Sequence, residues 1–298
     1  MSTQSINFNN VKSCNFNSQN VCEIYLNSQK IWPLPLRAYE TPQSGVTYTS
    51  VSDLTSYTPE QIEEISKAIS KNANITSSTE TVYLSDETSI SIGATRSYTL
   101  STQETMTDRI LGFNHDTLTN SSAYGEATAS GKAGITWQMV NCLNTTYPMK
   151  NADTNEGGWN TSVMRTSTLP TIKALLPSDL QSIIKLVDKK AANGGGPNYT
   201  ATVTSSDDLF LLAEIEIFGS VSFAQDGANE GTQYKYWVGK SASDRIKHFG
   251  TSINATTWWE RSCSSSVAGR SFLAVDMSGN ANGYAASQTH GVSFAYCT

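Results

Sequence analysis

Charge is scarce in this chain. Only 15% of its 298 residues are Asp, Glu, Lys or Arg, the basic ones are scattered, and the net charge is −6. Nucleic-acid binding needs a basic footprint on phosphate, so that class is excluded. Long apolar runs are missing as well. No stretch of about twenty apolar residues occurs, so no membrane insertion is expected. The N-terminus, Met1-Ser2-Thr3-Gln4-Ser5, has neither a charged n-region nor an apolar h-region, and no secretory signal is expected. Cysteine is sparse and odd in number, at positions 14, 22, 142, 263 and 297, with no Cys-x-x-Cys pair. That excludes zinc-type spacing and argues against a disulfide framework. The expectation is free, buried thiols in a protein made in a reducing cytosol and acting outside after release by lysis, with no cofactor and no metal.

Ser, Thr and Asn abound instead, in a chain long enough for one large domain or two smaller ones. Residues 1–37 read as a small β module. Val21 to Leu26 and Lys30-Ile31-Trp32 flank the turn-type Asn27-Ser28-Gln29, which predicts a hairpin, and Pro33 and Pro35 then end strand pairing. Residues 38–57, with Pro42 and Gly45, read as an extended linker. A helix is predicted from Thr58, with Thr58 as cap, Pro59 at the first position and Gln61 completing a capping box. Ile62, Ile65, Ala68 and Ile69 form its apolar stripe, which can pack on its own domain or against copies of itself.

Strands dominate from Thr81. Thr81–Leu84 and Ser89–Ile92 alternate across Asp86-Glu87, followed by Arg96–Leu100, Thr105–Phe113 and Ile135–Val140. His115 reads as a turn residue, because a metal role would need ligands beyond Asp116. Gly157-Gly158 permits close backbone approach, Trp159 can anchor it, and Ser162 can cap a turn through Met164-Arg165. Pro177 to Ala191 is predicted as a second helix, with Leu180, Ile183, Ile184 and Val187 inward and Lys185, Lys189 and Lys190 toward its C-terminal end. Glu214 and Glu216 interrupt an apolar segment. On one strand they would point to the same side about 7 Å apart, a geometry open to acid/base work, or they pair with framework arginines such as Arg165 or Arg261. His248 and His290 fall in no metal or triad pattern.

The C-terminal stretch opens on Trp258-Trp259-Glu260-Arg261-Ser262 and closes on an apolar alternation, Val292/Phe294/Tyr296. Between these lie small polar residues with one aromatic, Tyr284. A stiff frame presenting an irregular polar surface is how a binding face is built, and it is equally a set of solvated turns joining the last strands.

Six motifs carry a resemblance: Leu111–Asp116, Gly157–Arg165, Leu209–Gly219, Glu230–Tyr234, Trp258–Ser262 and Gly291–Cys297. With them, residues from about 80 to 298 resemble a domain family of otherwise unknown function found in phages and surface proteins of Gram-positive bacteria. They are also similar to C-type-lectin-like domains of the formylglycine-generating-enzyme kind, the fold of the variable proteins of diversity-generating retroelements, phage tail-tip receptor binders among them. The Lys30-Ile31-Trp32-Pro33 hairpin resembles attachment segments of phage tail proteins.

These resemblances imply an α+β fold: a C-type-lectin-like domain over 80–298 with small mixed antiparallel sheets and two helices, preceded by a linker and helix over 38–79 and the module 1–37. They imply a receptor-binding protein of a phage tail, an oligomer (a trimer), attached to other tail proteins through its N-terminal module. Its partner would be a host cell-surface protein or glycan. The ligand residues would be Ser264, Ser265, Ser266, Ser271, Leu273, Asp276, Asn280, Asn282, Tyr284, Gln288 and His290, with Tyr296 adding rigid area. Two departures bear on chemistry. Cys263 and Cys297 lack the pattern of a copper site, so no enzymatic activity is expected. No Glu-Pro-Asn, Gln-Pro-Asp or Trp-Asn-Asp triplet occurs, so calcium-dependent sugar binding is not implied. The competing readings are a structural virion or surface module with no receptor, and a glycan-acting enzyme built on Glu214 and Glu216.

Overall fold

The computed structural model describes residues 36–125, 127–195, 201–265 and 269–298, and the backbone of four short strands between residues 14 and 32. Those four form two antiparallel hairpins, β1 (Cys14–Phe16) with β2 (Gln19–Val21) and β3 (Ile24–Leu26) with β4 (Gln29–Trp32). The second is the hairpin expected around Asn27-Ser28-Gln29, with Leu26 opposite Gln29 and Tyr25 opposite Lys30.

The body is organised by one eight-stranded sheet. Its strands are β5 (Ala38–Tyr39), β6 (Thr49–Asp53), β7 (Thr81–Leu84), β8 (Thr88–Thr99), β9 (Thr105–Phe113), β10 (Ile135–Met139), β14 (Leu209–Phe210) and β21 (Ala295–Cys297). The order is β14-β21-β10-β9-β8-β7-β5, with β6 parallel to β8. The strand signals at 89–92 and 96–100 belong to a single strand, β8, which passes Gly93 at φ +83°. The C-terminal strand sits inside this sheet, between β14 and β10, so both of its edges are paired, and Val292 to Thr298 are all buried. Tyr296 is therefore part of the core. Its hydroxyl donates to Asp108 Oδ2 at 2.8 Å, and it adds no area to an exposed face.

Residues 38–57 are extended, but they are not a free linker. Ala38 pairs with Leu84, Val51 with Ile90, and Leu54 is fully buried. Helix α1 (Pro59–Ser70) follows with both halves of its capping box formed: Gln61 N–H donates to Thr58 Oγ1 and Thr58 N–H to Gln61 Oε1. Its stripe Ile62, Ile65, Ala68 and Ile69 is spent on the chain's own core. The sheet receives it at Gly134, where a Cβ would lie 1.9 Å from Ser66 O. Asn114, in the left-handed region at φ +43°, donates Nδ2 to the carbonyls of Ile69 and Ile75 and so satisfies the helix end.

The rest of the body is a set of short elements: β11 (Tyr147–Pro148), α2 (Leu169–Lys173), α3 (Ser178–Ile183), β12 (Val187–Ala192), β13 (Thr202–Asp207), α4 (Glu214–Phe218), α5 (Ala242–Arg245), β15 (Lys247–His248), β16 (Ala255–Thr256), β17 (Trp258–Cys263), β18 (Ser271–Val275), β19 (Ala281–Ala285) and β20 (Thr289–His290). The pairings β11–β20, β12–β13, β15–β16 and β17–β18–β19 are all antiparallel. The fold is α+β, with small antiparallel sheets and few helices.

Two expectations are corrected here. The helix predicted over 177–191 ends at Ile183, where Ile184 turns extended at ψ 131°. Residues 187–192 form strand β12, paired in register with β13 from Val187–Asp207 to Ala192–Thr202. Val187, Lys189 and Ala191 face inward while Asp188 and Lys190 face out. A lysine in an inward slot masked the period-2 pattern. Glu214 and Glu216, expected on one strand, lie in the single turn of α4, which Gly219 closes at φ +71°.

Candidate functional site

Two surfaces hold chemistry, the C-terminal sheet and a cleft on the β12–β13 hairpin. In the first, β18 lies between β17 and β19 and is wholly buried. Ser271 and Leu273 lie on it, and Ser264 is 2% exposed, so these three belong to the frame rather than to a ligand face. Asp276 spends its carboxylate on the N–H groups of Ser278 and Asn280, which shapes the turn into β19. Ser265 is exposed and donates its hydroxyl to Phe223 O. Ser266 lies outside the described residues.

What remains is coherent. Asn280, Asn282 and Gln288 are exposed on and around β19, the outer strand of its three-stranded sheet. Tyr284, two residues along from Asn282, is half-buried against His290, with ring centroids 4.5 Å apart. His290 in turn packs edge-on against the buried Trp259 at 4.6 Å. Trp259 is pinned by its Nε1, which donates to Tyr147 O at 2.7 Å. An aromatic trio anchored in the core therefore fixes a surface of uncharged amide side chains.

The second surface rests on a buried polar network, and the motif residues converge on it. Arg261 on β17 has no exposed area and spends all five of its N–H donors: on Lys190 O, on Leu211 O, on both oxygens of Glu216, at 2.5 and 2.9 Å, and on Glu230 O. Lys189 reaches in from β12 to Asp116 Oδ1 and Glu216 Oε1, both at 2.7 Å, and to Tyr234 Oη at 3.1 Å. Asp116 also accepts from Thr136 Oγ1 at 2.6 Å. Two cations and two carboxylates thus offset each other out of contact with water. Glu216 also accepts from Ala213 N–H, closing the first turn of α4. Its pairing with Arg261 matches the ion-pair reading, whereas Arg165 takes Asp207 instead. Glu214 anchors a loop, accepting from the N–H groups of Ser222, Phe223 and Ala224.

The glycine pair is explained by the same packing. At Gly158, φ +55°, a Cβ would lie 2.0 Å from Ala192 O, at the end of β12. Trp159 beside it donates Nε1 to Asp207 on β13 at 2.9 Å, and Ser162 Oγ accepts from Arg165 N–H as a cap. Lys189 is the network member that sequence reasoning placed elsewhere. The available signal was the Val187/Lys189/Ala191 alternation.

Charge states follow from burial and partners. Burial opposes ionisation of Asp116 and Glu216, but Lys189 and Arg261 outweigh it and hold both carboxyls below their ordinary values. Glu230 is pushed by burial up to about 7, against the pull of Arg261 and hydrogen bonds from Ser262 and Ala192. Glu260, fully buried with neither oxygen hydrogen-bonded among the described residues, is raised well above the carboxylate range by burial and then by Glu214 and Glu230. The thiols of Cys142, Cys263 and Cys297 are free, buried and pushed up by burial, which keeps them protonated at neutral pH.

Glu230 makes the stability of the fold depend on pH. The folded protein holds a proton that the unfolded chain releases near 4.5. The stability this supplies is full below 4.5 and is lost as pH rises to about 7, amounting to roughly 3 kcal/mol at most. Asp108, pushed by burial to about 6, acts with the same sign. The melting temperature is expected to fall between pH 4.5 and 7, and Glu230→Gln to make that slope shallower, with Asp108 and Glu260 supplying the remainder. A thermal melt series that gives the variant the parent's slope would remove Glu230 as its source.

A cleft of about 520 Å³ opens over this network, bordered by the β12–β13 hairpin and the turn around 228–232. His115 stands at its edge, its ring 4.0 Å from that of Tyr234 and its Nδ1 3.7 Å from Asp116 Oδ2, beyond hydrogen-bond reach. Among the described residues no group of three or more His, Cys, Asp or Glu is arranged to hold a metal ion.

Residues 130–295, more than half of the chain, match the family described as a domain of unknown function, DUF6273, and the chain belongs to that family. The matched span takes in the Gly157, Leu209, Glu230 and Trp258 motifs whole. No curated protein and no solved structure matches the chain.

Proposed function

We propose that this DUF6273 protein is a receptor-binding protein of a phage tail, an adhesin whose C-terminal surface binds a protein or glycan on the host cell. The observation that carries the reading is the outer strand β19. It exposes Asn280 and Asn282 from a sheet whose inner strand is buried throughout, with Tyr284 locked between them and His290. Amide side chains supply adaptable hydrogen bonds, and a held aromatic ring supplies contact area at little entropic cost. Asn282 Oδ1 accepts from Gly283 N–H, and its Nδ2, without a partner among the described residues, can donate to a ligand.

Such contacts are individually modest, so the reading includes presentation in several copies, as a trimer, which turns weak single sites into avidity. The N-terminal hairpins would make the attachment to other tail proteins. Helix α1 is not the oligomerisation surface in this scheme, because its apolar stripe is already buried. The finer fold assignment is a C-type-lectin-like domain from about residue 80, supported by the buried Trp258-Trp259-Glu260-Arg261-Ser262 strand and by the C-terminal strand inside the main sheet. In the retroelement-diversified proteins that the C-terminal stretch resembles, the diversified positions form the ligand face. Asn280, Asn282, Tyr284 and Gln288 are the corresponding candidates. The protein would be made in the host cytoplasm and act outside it, on the virion, without catalysing a reaction.

Binding of the purified full chain to whole candidate host cells tests this. The triple variant Asn282→Ala, Tyr284→Ala, Gln288→Ala is expected to lose binding at least tenfold while staying folded, its melting temperature lowered by a few degrees at most through the lost Tyr284 ring contacts. Retained binding would move the receptor face elsewhere. Absence of binding by the parent protein to every cell tried would favour the structural module.

A further inference from the structure

The cleft over the buried network is not used by the reading above, and its lining has an unusual balance. On its floor Asp116 and Glu216 are matched by Lys189 and Arg261, and Glu230, pushed up by burial to about 7, adds a carboxyl that is only partly ionised at neutral pH. Its rim carries two ammonium groups with no ion pair among the described residues. Lys190 is exposed on β12, directly across the ladder from Thr204, and its Nζ has no hydrogen-bond partner among the described residues. Lys132 donates only to the Thr117 hydroxyl, at 2.7 Å. The one rim carboxylate, Asp188, is engaged by the hydroxyls of Thr119 and Ser206. Those hydroxyls leave the Asp188 charge in place, so Lys132 and Lys190 exceed it by one positive charge on the rim, in a chain of net charge −6. The wall carries hydroxyl and amide groups from Thr204, Thr232 and Asn229, of which the Thr232 hydroxyl already contacts His115 Nε2 at 3.2 Å and Asn229 Nδ2 donates to Asp226 Oδ1 at 2.6 Å, and Ala228 is the apolar side chain among the lining residues.

We propose that this cleft is a second binding site and that it takes an anionic saccharide, a polyol bearing a carboxylate or phosphate group. The anion would sit between the ammonium groups of Lys132 and Lys190, and the hydroxyls would exchange hydrogen bonds with Thr204, Thr232 and Asn229. Its volume lies within the range of small-molecule sites, and its polar lining disfavours an apolar occupant. The saturated network below supplies a floor that does not rearrange on binding, which limits the ordering cost. The site does not depend on the β19 surface being the receptor face.

Isothermal titration of the full chain with glucuronate, glycerol 3-phosphate, glucose and inorganic phosphate tests it. Glucuronate and glycerol 3-phosphate are expected to bind saturably, and glucose at least tenfold more weakly. The double variant Lys132→Ala, Lys190→Ala should weaken the anionic ligands at least tenfold, because it removes two charge-assisted hydrogen bonds, with an unchanged melting temperature. The Asn282/Tyr284/Gln288 triple variant should bind both as the parent does. No saturable binding by either anionic polyol, or affinities indifferent to the two lysines, would overturn the proposal. Inorganic phosphate binding as tightly as glycerol 3-phosphate would overturn its saccharide part, reducing the site to one for a bare anion.

Discussion

Arg261→Ala is expected to cost about 3–5 kcal/mol, a large share of the 5–15 kcal/mol by which a typical domain is stable. The loss comes from what the side chain leaves behind. Glu216 would keep only Lys189 and the Ala213 N–H, and the carbonyls of Lys190, Leu211 and Glu230 would lose their guanidinium donors inside the protein. Arg261→Lys should recover little, since a single ammonium cannot reproduce a planar fork that serves one carboxylate and three carbonyls. Denaturant unfolding of the single variants and of the Arg261→Ala/Glu216→Ala pair would measure this. The double variant should lose clearly less than the sum of the singles. A melting temperature for Arg261→Ala within a few degrees of the parent would mean that water reaches the network and that it is not a desolvated support.

Gly134→Ala should be a severely damaging single-methyl change, at roughly 3 kcal/mol or more. Its Cβ would meet Ser66 O at 1.9 Å and Ser66 Cα at 2.7 Å. Both sides of that contact are backbone, one in the middle of α1 and one at the start of β10, so no flexible side chain can move aside. Relief requires α1 to lift from the sheet, which would expose Ile62, Ile65 and Ile69. Protease sensitivity between residues 71 and 81 is then expected alongside the lower melting temperature. Gly112→Ala is the control: its Cβ would make ordinary contacts at 3.8 Å to His115 and Tyr234, and the change should stay within about 1 kcal/mol of the parent. Equal stability of the two variants would show that α1 is not seated on the sheet as described.

The sheet assigns residues 38–57 a part different from the one their composition indicated. Pro42, Gly45 and a run of Ser and Thr have the look of a tether. Nothing local tells a tether from an edge strand whose partner lies elsewhere in the chain, as Val51 with Ile90 and Ala38 with Leu84 do here. The ligand face was only partly legible for a related reason. Composition separates polar from apolar, but Ser264 and Ser271 are small enough to be buried with their partners supplied, while Asn280, Asn282 and Gln288 stay in water.

What the sequence determined by itself is local. The capping box at Thr58 and Gln61, the apolar stripe of α1, the alternation of β7 and the close approach at Gly157-Gly158 each follow from neighbours within a few residues and are found as read, whereas β10, read as alternating, is buried at every position and the two strands read over 89–100 are one. The tertiary structure alone decided the state of Pro177–Ala192 and of Glu214–Phe218. There the pattern fits either helix or strand, and a remote partner breaks the tie: β13 pulls residues 187–192 into a ladder, and Ser262 and the loop at 222–224 hold Glu214 at the start of a helical turn. It alone brought Asp116, Lys189, Glu216, Tyr234 and Arg261 together. Charged residues at such separations carry no local sign of pairing. Only burial, by making an unpaired charge too costly, forces each to find the others.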